Sequence, residues 1–389
     1  MAKRMAVGII GAGNMAEAYL RLAKVFGNLA VIAIADIVPA AAKARAEKFS
    51  VRAMGVDELL NRDEIDVVIN LTVPDAHYQV SREILSAGKH AYSEKPLALN
   101  TADAKKLVAL ADRRGLKLGG APDTFLGAGG QRVRQLLDKG TIGRVIGGSA
   151  YVMGHGMEMW HPNPAFFYQP GAGPVFDVGV YYITALVALL GAVETVTAMA
   201  SKGLDERLVT STGPMHGKRI KVDTPTNINA ILAFANGAQI TLGASWDVWR
   251  HGHANPIELY GETGTMLVPD PNFFAGTIAY SDKGGDFTEV DSAGDPFGTH
   301  NWPWAGPFTR ANYRMLGVAD LIDAAAKDRE PRCSGRMAAH VVEVMEAILT
   351  SALERSFVKV KSTVERPAPL TAGEAKRLMA KDATAGAAA

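Results

Sequence analysis

Residues 8–20 read GIIGAGNMAEAYL, and this stretch predicts how the first part of the chain folds. An apolar run ends in a glycine turn, and a helical pattern begins directly after it. Gly11 permits the tight turn, the absence of a Cβ at Gly13 lets the backbone approach a pyrophosphate, and Ala16 fills the third small position. The free N–H groups of the helix start, at the positive end of its dipole, would face the phosphates. The stretch therefore predicts a dinucleotide site.

Asp36 supports the same prediction, because it ends a second apolar run. It lies roughly 20 residues further along, where dinucleotide sites carry an acidic residue that accepts from a ribose 2′-hydroxyl. A carboxylate there would repel a 2′-phosphate, and Ile37 beside it brings no positive charge. Arg45 lies in the following helix, but the sequence does not place it near the ribose. We therefore expect NAD rather than NADP; the alternative is an ordinary turn between strand and helix that binds nothing.

Composition excludes several classes of protein. The chain has 389 residues, a formal charge of +1, 48% hydrophobic and 21% charged residues. These values indicate a globular protein of two domains and give no electrostatic reason to expect nucleic acid or membrane as a partner. Cys333 is the only cysteine, so no intrachain disulfide can form, and we predict no metal site. The apolar run before Gly11 is too short for a signal peptide, and we expect a cytoplasmic enzyme.

The order of elements predicts two different domains. Residues 1–121 alternate strand and helix, which predicts an α/β fold with a doubly wound parallel sheet, the Rossmann arrangement. Residues 122–366 contain mostly β segments, among them a hairpin signal at Asn236-Gly237, and predict an α+β domain with a large, mostly antiparallel open sheet. The Ala-rich tail, residues 367–389, is predicted to be loosely held.

Lys95 is the first candidate for chemistry. Ligands of doubly wound sheets bind beyond the carboxyl ends of the strands. Lys95 precedes Pro96, which forces it onto extended backbone, and it follows a predicted strand. A lysine at this place would project into the cleft, whereas the alternative is a surface lysine.

A polar stripe on a predicted helix is the second candidate. Asp177, Tyr181 and Thr184 share one face of a helix by their spacing, while the rest of that helix is apolar. Such a stripe needs polar partners or a cavity. The alternative is that Asp177 caps the helix and Tyr181 is packed in the core.

An aromatic loop is the third candidate. Residues 155–174 carry Trp160, His161 and Tyr168 together with two phenylalanines. These rings would stack on a polar ring such as a sugar and hydrogen-bond to it, so we predict that these three residues contact the substrate. The alternative is a cluster that packs the loop or an interface.

Taken together, these residues resemble the Gfo/Idh/MocA oxidoreductases, the relatives of glucose–fructose oxidoreductase and inositol 2-dehydrogenase. The resemblance covers nearly the whole chain and rests on the turn GAGNMA, Asp36, the T-x-P-x-x-H stretch from Thr72, Glu94-Lys95-Pro96, and G-x-x-x-D-x-G from Gly173. It implies a nicotinamide cofactor in the first domain and a substrate pocket in the second. The open sheet of the second domain would form the contact of a homodimer or homotetramer. The residues predicted to bind the cofactor are Gly11, Gly13, Asn14, Met15, Asp36, Ile37, Thr72, Pro74, His77, Glu94 and Lys95.

The resemblance also implies roles for the catalytic candidates Lys95, Asp177 and Tyr181. Lys95 corresponds to the active-site lysine of the family and Asp177 to its substrate-side aspartate. Many members carry histidine in place of Tyr181, whereas glucose–fructose oxidoreductase and dihydrodiol dehydrogenase resemble this chain in using tyrosine. Thr184 stands where an aspartate is often found, which puts inositol dehydrogenase chemistry proper in doubt.

The resulting hypothesis is hydride transfer between nicotinamide and a secondary hydroxyl of a sugar, sugar derivative or cyclitol. Tyr181 would take the hydroxyl proton; because an ordinary phenol has a pKa of about 10, a nearby Lys95 ammonium would be needed to favour the phenolate. Asp177 would accept from a neighbouring hydroxyl. One alternative is a glycoside-cleaving enzyme that oxidises its substrate transiently with tightly held NAD. Another is a nucleotide-binding sensor without turnover.

Overall fold

The computed structural model describes residues 4–304 and 307–380. Within them, the first part of the chain forms a parallel sheet of six strands in the order β3-β2-β1-β4-β5-β6. Its elements are β1 Met5–Ile10, α1 Asn14–Leu22, β2 Leu29–Ala35, α2 Pro39–Phe49, β3 Arg52–Met54, α3 Val56–Leu60, β4 Val67–Asn70, α4 His77–Ser86, β5 His90–Ser93, α5 Thr101–Arg114 and β6 Leu118–Gly120. The order reverses between β1 and β4, and ligands of such sheets bind at that point.

The second part of the chain forms a mixed sheet of nine strands, counted over the described residues, in the order β16-β15-β14-β13-β7-β12-β11-β8-β19. Only β7 and β12 pair in parallel there; the other neighbours are antiparallel. The elements are α6 Ala128–Asp138, β7 Val145–Met153, α7 Val180–Leu190, β8 Val193–Ser201, β9 Glu206–Leu208, β10 Arg219–Lys221, β11 Asn227–Phe234, β12 Gln239–Ser245, β13 Ile257–Gly261, β14 Gly264–Val268, β15 Ile278–Asp282, β16 Thr288–Val290, β17 Trp302–Pro303, β18 Thr309–Arg310, α8 Leu316–Ala326, α9 Gly335–Glu354, β19 Val358–Lys359 and α10 Ala372–Leu378.

These two sheets confirm the predicted fold class. The hairpin predicted at Asn236-Gly237 joins β11 and β12, and Gly237 has the positive φ of 89° that such a turn requires. The sequence offers two adjacent N-cap residues for α5, Asn100 and Thr101, and the structure uses Asn100, whose side chain accepts from the N–H of Asp103.

The first sheet and the later helices share one hydrophobic core. Helix α9 packs on α5, and both α8 and α9 contact β6 at the edge of the parallel sheet. The N–H of Gly120 donates to the carbonyl of Cys333 at 3.0 Å, which joins β6 to the segment before α9. The predicted boundary near residue 121 follows β6 directly, and it stays a prediction because the core is continuous across it.

The prediction of a loosely held tail is wrong for residues 367–380. Helix α10 begins with a capping box between Thr371 and Glu374, and Leu370 and Leu378 are buried in the main core. Its end lies against the first domain, where the N–H of Gly27 donates to the carbonyl of Leu378 at 2.8 Å. The Ala-rich composition obscured these leucines; residues 381–389 lie outside the described part.

None of the helices described is both long enough and apolar enough to cross a membrane. The longest, α9, has 20 residues and carries charged side chains along its length.

His340 on α9 makes the stability of the fold depend on pH. Its Nε2 accepts from the N–H of Val193 at 3.0 Å, which fixes Nδ1 as the donor to Ser362. Burial lowers the pKa of His340 to about 4, so the folded protein keeps this ring neutral down to that pH while the unfolded chain takes up a proton near pH 6.5. Stability is therefore lost as the pH falls from 6.5 towards 4, and His340 should account for about 2 kcal/mol of loss between pH 7 and pH 5.

Replacing His340→Gln should remove this part of the pH dependence, because the amide oxygen can still accept from Val193 but cannot take up a proton. Urea unfolding at pH 7 and pH 5 measures the difference. An exposed histidine, His251, offers the control, and His251→Gln should keep the wild-type loss. An equal loss in wild type and His340→Gln would contradict the prediction.

Candidate active site

The glycine turn after β1 lies at the point where the order of the first sheet reverses. Gly11 has a φ of 108°, and a Cβ there would lie 2.5 Å from the carbonyl oxygen of Leu71, so only glycine fits. A Cβ at Gly13 would meet no atom within 4 Å. Gly13 therefore leaves open space in front of the first N–H groups of α1, which is the cradle that a pyrophosphate requires.

Asp36 and Arg45 each contact this turn. The carboxylate of Asp36 accepts from the N–H of Ala12 at 2.7 Å and from that of Val38 at 2.8 Å. Each oxygen keeps a second lone pair, with which it can accept from a ribose hydroxyl. Arg45, which the sequence did not place, extends back to the turn: its Nη1 lies 2.6 Å from Glu17 and its Nε donates to the carbonyl of Ala12 at 3.3 Å. Its Nη2 lies 3.4 Å from the carbonyl oxygen of Gly13, so this arginine pairs with the carboxylate of Glu17 and with the backbone of the turn.

The remaining predicted cofactor residues differ in exposure. Ile37 is 91% exposed, and Asn14 and Met15 at the start of α1 line a cavity described below. Thr72 is half-buried and its hydroxyl donates to Asn70 at 2.7 Å, and Pro74 begins a short 3₁₀ turn. All of these lie at the carboxyl ends of the first-sheet strands, where a dinucleotide would bind.

His77 is not placed to touch a ligand, contrary to the prediction. Its ring is buried, with Nδ1 2.7 Å from the carbonyl oxygen of Pro96 and Nε2 3.0 Å from that of Thr72. A neutral imidazole has one N–H, so the ring donates to one of these two carbonyls and packs against the other, between the loops after β4 and β5. Burial lowers its pKa despite the two carbonyls. We assign His77 as a support of both loops, a role that its sequence position does not distinguish from ligand contact.

Glu94 also faces inward. Its Oε1 accepts from the hydroxyl of Tyr19 on α1 at 2.9 Å, and its Oε2 accepts from the N–H of Lys95 at 3.0 Å. The side chain is only 8% exposed. Glu94 therefore joins α1 to the loop after β5, which fixes the backbone of the next residue.

Lys95 from the first sheet and Asp177 from the second part of the chain form an ion pair. The Nζ of Lys95 lies 2.8 Å from Oδ1 of Asp177 and 2.6 Å from its carbonyl oxygen. It also lies over the ring of Tyr181, 5.4 Å from the centroid. The structure thus brings the three predicted catalytic residues together. Residues 175–179 form a π-helical turn before α7, rather than the continuous α-helix that was predicted, and such turns are frequent at functional sites.

This arrangement determines the charge of Lys95 and the hydrogen-bonding atoms of Lys95 and Asp177 that remain for a ligand. Burial opposes the charge on Lys95, but the carboxylate of Asp177 and then Tyr181 outweigh it and raise the pKa of Lys95 above its ordinary value. Lys95 therefore stays an ammonium at neutral pH. Two of its three N–H donors are directed to Asp177, so one remains for a ligand. Oδ2 of Asp177 has no donor within the described residues and can accept from a ligand hydroxyl.

Arg314 is a site residue that the sequence analysis missed. It lies just before α8, and its Nη2 donates to the hydroxyl oxygen of Tyr181 at 3.4 Å across 133 positions of sequence. Its other terminal nitrogen, Nη1, is 3.3 Å from Oδ1 of Asn312. No local pattern marks an arginine in this loop, so only the tertiary structure identifies it.

A cavity of about 460 Å³ lies between the start of α1 and the segment that carries Arg314. The N-terminal part of α1 lines one side, and a segment before α8 lines the other. The residues shared with the site are Asn14, Met15, Arg45 and Arg314. Over the part of the chain that the structure describes, no cluster of histidine, cysteine and acidic side chains has the arrangement of a metal site.

The aromatic loop does not join this site as predicted. Tyr168 is fully buried in a separate small core with Trp246, and its hydroxyl donates to Glu158, so it is a core residue and the prediction of a substrate contact is wrong. Trp160 is 63% exposed and meets the ring of His161 edge-on at 5.4 Å. Within the described residues, no hydrogen bond or ring contact links Trp160 or His161 to Lys95 or Asp177. The substrate contacts predicted for Trp160 and His161 therefore stay predictions.

Comparison with known proteins identifies the class. Residues 5–120 match the model of the oxidoreductase family with an NAD-binding Rossmann fold, and residues 131–267 match that of the GFO/IDH/MocA C-terminal domain. The chain belongs to the Gfo/Idh/MocA oxidoreductase family. Its first domain is the NAD-binding domain of that family, and the open cradle at Gly13 fits that cofactor.

Individual relatives are distant. Inositol 2-dehydrogenase of Salmonella typhimurium is 29% identical over 146 residues, which cover 36% of this chain and 43% of that enzyme. The match therefore spans less than half the length of that relative. Myo-inositol 2-dehydrogenase of Thermotoga maritima is 24% identical over 287 residues, 72% of this chain and 80% of that protein. A solved levoglucosan dehydrogenase in complex with NADH has a TM-score of 0.78 at 21% identity, over 92% of this chain and 100% of that one, which shows the shared fold.

Replacing Gly13→Val should weaken NADH binding without unfolding the protein. The backbone at Gly13 has a φ of −67°, which valine adopts, and the new side chain meets open space. Stability should therefore change by no more than about 0.5 kcal/mol. The same side chain would occupy the pyrophosphate cradle, so we expect at least roughly a tenfold loss of NADH affinity. Titration of NADH fluorescence and thermal unfolding measure the two effects.

Gly55 provides the matched control for this substitution. It precedes α3 with nearly the same φ of −71°, and a Cβ there also meets nothing within 4 Å. Gly55→Val should leave both stability and NADH affinity unchanged, because the site lies away from the turn. If Gly13→Val bound NADH as tightly as wild type, the turn would not be the pyrophosphate site.

Proposed function

We propose that this protein is an NAD-dependent dehydrogenase that acts on a secondary hydroxyl of a sugar, sugar derivative or cyclitol. The observation that carries the proposal is the meeting of Lys95 with Asp177 and Tyr181 beside the carboxyl end of β5. One group comes from the nucleotide-binding half of the chain and two come from the other half. Such a set is needed for proton transfer and substrate orientation, and a sensor without turnover would not require it.

Bound NAD would supply the hydride acceptor for the alcohol carbon. Tyr181 would take the proton of the reacting hydroxyl, and Lys95 would donate its remaining N–H to the same oxygen. Asp177 would accept from a neighbouring hydroxyl through Oδ2 and so orient the substrate ring. The inositol 2-dehydrogenases and the levoglucosan dehydrogenase among the similar proteins support a cyclic polyol as substrate. Trp160 and His161 are proposed as outer contacts of such a substrate.

Cofactor choice follows from the groups at the turn. Asp36 would accept from the 2′-hydroxyl of NAD and would repel the 2′-phosphate of NADP. Arg45 does not reverse this preference, because Glu17 lies 2.6 Å from its guanidinium and balances its charge. We therefore propose NAD as the working cofactor.

A screen of NAD and NADP reduction at 340 nm tests the proposal across monosaccharides, sugar acids, inositols and glycosides. We expect reduction of NAD by at least one cyclic polyol, with a higher kcat/KM than with NADP. Cleavage of a glycoside without net NADH formation would instead support the cycle of transient oxidation and elimination. Tight NADH binding without turnover on any member of the panel would contradict the dehydrogenase and favour a sensor.

We also propose that the chain forms a homodimer or homotetramer through the open face of the nine-stranded sheet. Two apolar side chains on that face, Met199 on β8 and Ile231 on β11, are 80% and 45% exposed. Exposed apolar surface of this kind is usually covered by a partner. Sedimentation should give a mass at least twice the 41.3 kDa of one chain, and the double substitution Met199→Lys with Ile231→Lys should return it to the monomer. A monomeric wild type would contradict this.

A further inference from the structure

The cation that touches the phenol oxygen is not the one expected from the sequence. Lys95 is held by the carbonyl and carboxylate oxygens of Asp177, and its Nζ lies over the ring of Tyr181. Arg314 instead donates from Nη2 to the hydroxyl oxygen of Tyr181. A guanidinium can only donate, so the tyrosine oxygen is the acceptor in this contact. Its own proton is therefore free to point away from Arg314.

We propose that Arg314 is a positioning residue for Tyr181, which orients the phenol and stabilises the negative charge its oxygen carries when it acts as the base. The inference rests on the proposed function, because that function assigns Tyr181 as the proton acceptor. It divides two tasks between two cations: Lys95 orients Asp177 and contacts the substrate oxygen, whereas Arg314 acts on the base.

The surroundings of Arg314 keep it charged. Burial opposes the charge, but Tyr181 and then Glu94 outweigh this effect, with smaller contributions from Tyr19 and Asp123, and together they raise the pKa of Arg314. A permanently charged guanidinium beside a phenol favours the ionised form of that phenol. The proposal therefore does not depend on a change in the protonation of Arg314.

The backbone around Arg314 is also fixed. Nη1 of Arg314 contacts the side-chain oxygen Oδ1 of Asn312. The backbone N–H of Asn312 in turn donates to the side-chain oxygen of Asn301 at 2.8 Å. Three residues after Arg314, the N–H of Gly317 donates to the buried carboxylate of Asp123 at 2.9 Å. Burial raises the pKa of Asp123 to about 6. Arg314 is thus anchored on both sides, as a residue that sets the geometry of another side chain must be.

The charged groups that face Tyr181 come from three elements. The loop after β5 supplies Lys95, the π-helical turn supplies Asp177, and the loop before α8 supplies Arg314. Glu94, which accepts from the hydroxyl of Tyr19, also favours the charge of Arg314. Among the described residues, removing Arg314 leaves Lys95 as the cation in contact with Tyr181, and Lys95 is paired with the carboxylate of Asp177. We therefore expect ionisation of Tyr181 to need a higher pH in a variant without Arg314.

The test uses the full-length protein labelled with 3-fluorotyrosine. The ¹⁹F resonance of Tyr181 is assigned by its loss in Tyr181→Phe and is followed over pH in wild type, Arg314→Met and Arg314→Lys. We expect ionisation at higher pH in Arg314→Met and partial recovery in Arg314→Lys, since an ammonium restores the charge but not the forked geometry. An unchanged titration in Arg314→Met would overturn the proposal. Thermal unfolding confirms that each variant is folded, and Arg314→Lys serves alone if the methionine variant is not.

Arg310 provides the matched control. It lines the same cavity, but its guanidinium lies over the ring of Phe273, 4.8 Å from the centroid, and not on Tyr181. Arg310→Met should leave the titration of Tyr181 unchanged. An equal shift in Arg310→Met would mean that the charge of the cavity as a whole matters, and this would overturn a specific role for Arg314.

Measurements of turnover distinguish a failure of this inference from a failure of the proposed function. With an active substrate, the acid limb of kcat/KM should move to higher pH in Arg314→Met, while NADH affinity stays within about twofold of wild type. A change in NADH affinity with an unchanged pH profile would make Arg314 a cofactor contact and overturn the inference. If no substrate is found, the fluorine titration still tests whether Arg314 favours the ionised form of Tyr181, because the titration requires no turnover.

Discussion

Tyr181→Phe is expected to lower kcat by about 10²–10⁴-fold, the loss typical of removing a general acid–base group. The substitution deletes one oxygen from a side chain that is only 8% exposed, so the ring keeps its packing in the core. Arg314 loses one acceptor but keeps its contact with Asn312. KM and NADH affinity should change little, because the phenol acts on the proton and not on binding. Steady-state kinetics at saturating substrate together with NADH titration measure the two quantities.

The neighbouring Tyr182 is the control for this substitution. It lies on the same helix and is also buried, but its hydroxyl donates to Asp270 at 3.4 Å, away from Lys95 and Arg314. Tyr182→Phe removes the same atom from the next position of the helix, which points in a different direction, and should keep kcat within about twofold of wild type. A wild-type kcat in Tyr181→Phe would remove the tyrosine from the reaction.

Lys95→Met is expected to lower kcat by a similar factor of about 10²–10⁴ and also to raise KM. The methionine has nearly the same length but donates no hydrogen bond, so the substrate oxygen loses a donor and Asp177 loses its partner. An aspartate without that partner would hold the substrate ring less firmly. Lys95→Arg should restore little activity, because the larger, planar guanidinium cannot direct its N–H groups to Asp177 and to the substrate oxygen as a compact ammonium does. Kinetics with the best substrate of the screen measure both parameters.

Lys89→Met is the control that distinguishes a loss of catalysis from a loss of stability in Lys95→Met. It precedes β5 at the opposite end of that strand, is 8% exposed, and its Nζ donates to the carbonyl of Arg62 at 2.6 Å. Lys89→Met also removes a largely buried ammonium, so it should lower thermal stability without changing kcat. If Lys95→Met and Lys89→Met lost stability alike and neither lost activity, Lys95 would be structural.

Much of the site could be predicted because its residues lie at ends of strands or in short patterns. The turn at Gly11 and Gly13, and Lys95 before Pro96, are local features, and local sequence sets local backbone. The aromatic loop shows where this reasoning fails. Tyr168 and Trp160 look alike in sequence, yet one is fully buried with its hydroxyl on Glu158 and the other is 63% exposed. Which ring turns inward depends on Trp246, which is distant in sequence.

By itself, the sequence determined the parallel sheet, the glycine turn, the later antiparallel sheet and the candidate groups Lys95, Asp177 and Tyr181. These follow from periodicity, from glycine and proline, and from short spacings, all of which act within a few residues. Only the tertiary structure decided that Arg314 contacts Tyr181, that His77 and Glu94 face inward, and that the tail to residue 380 packs on the first domain. Each of those outcomes depends on which distant surfaces bury each other, and that is a property of the whole core rather than of any one stretch.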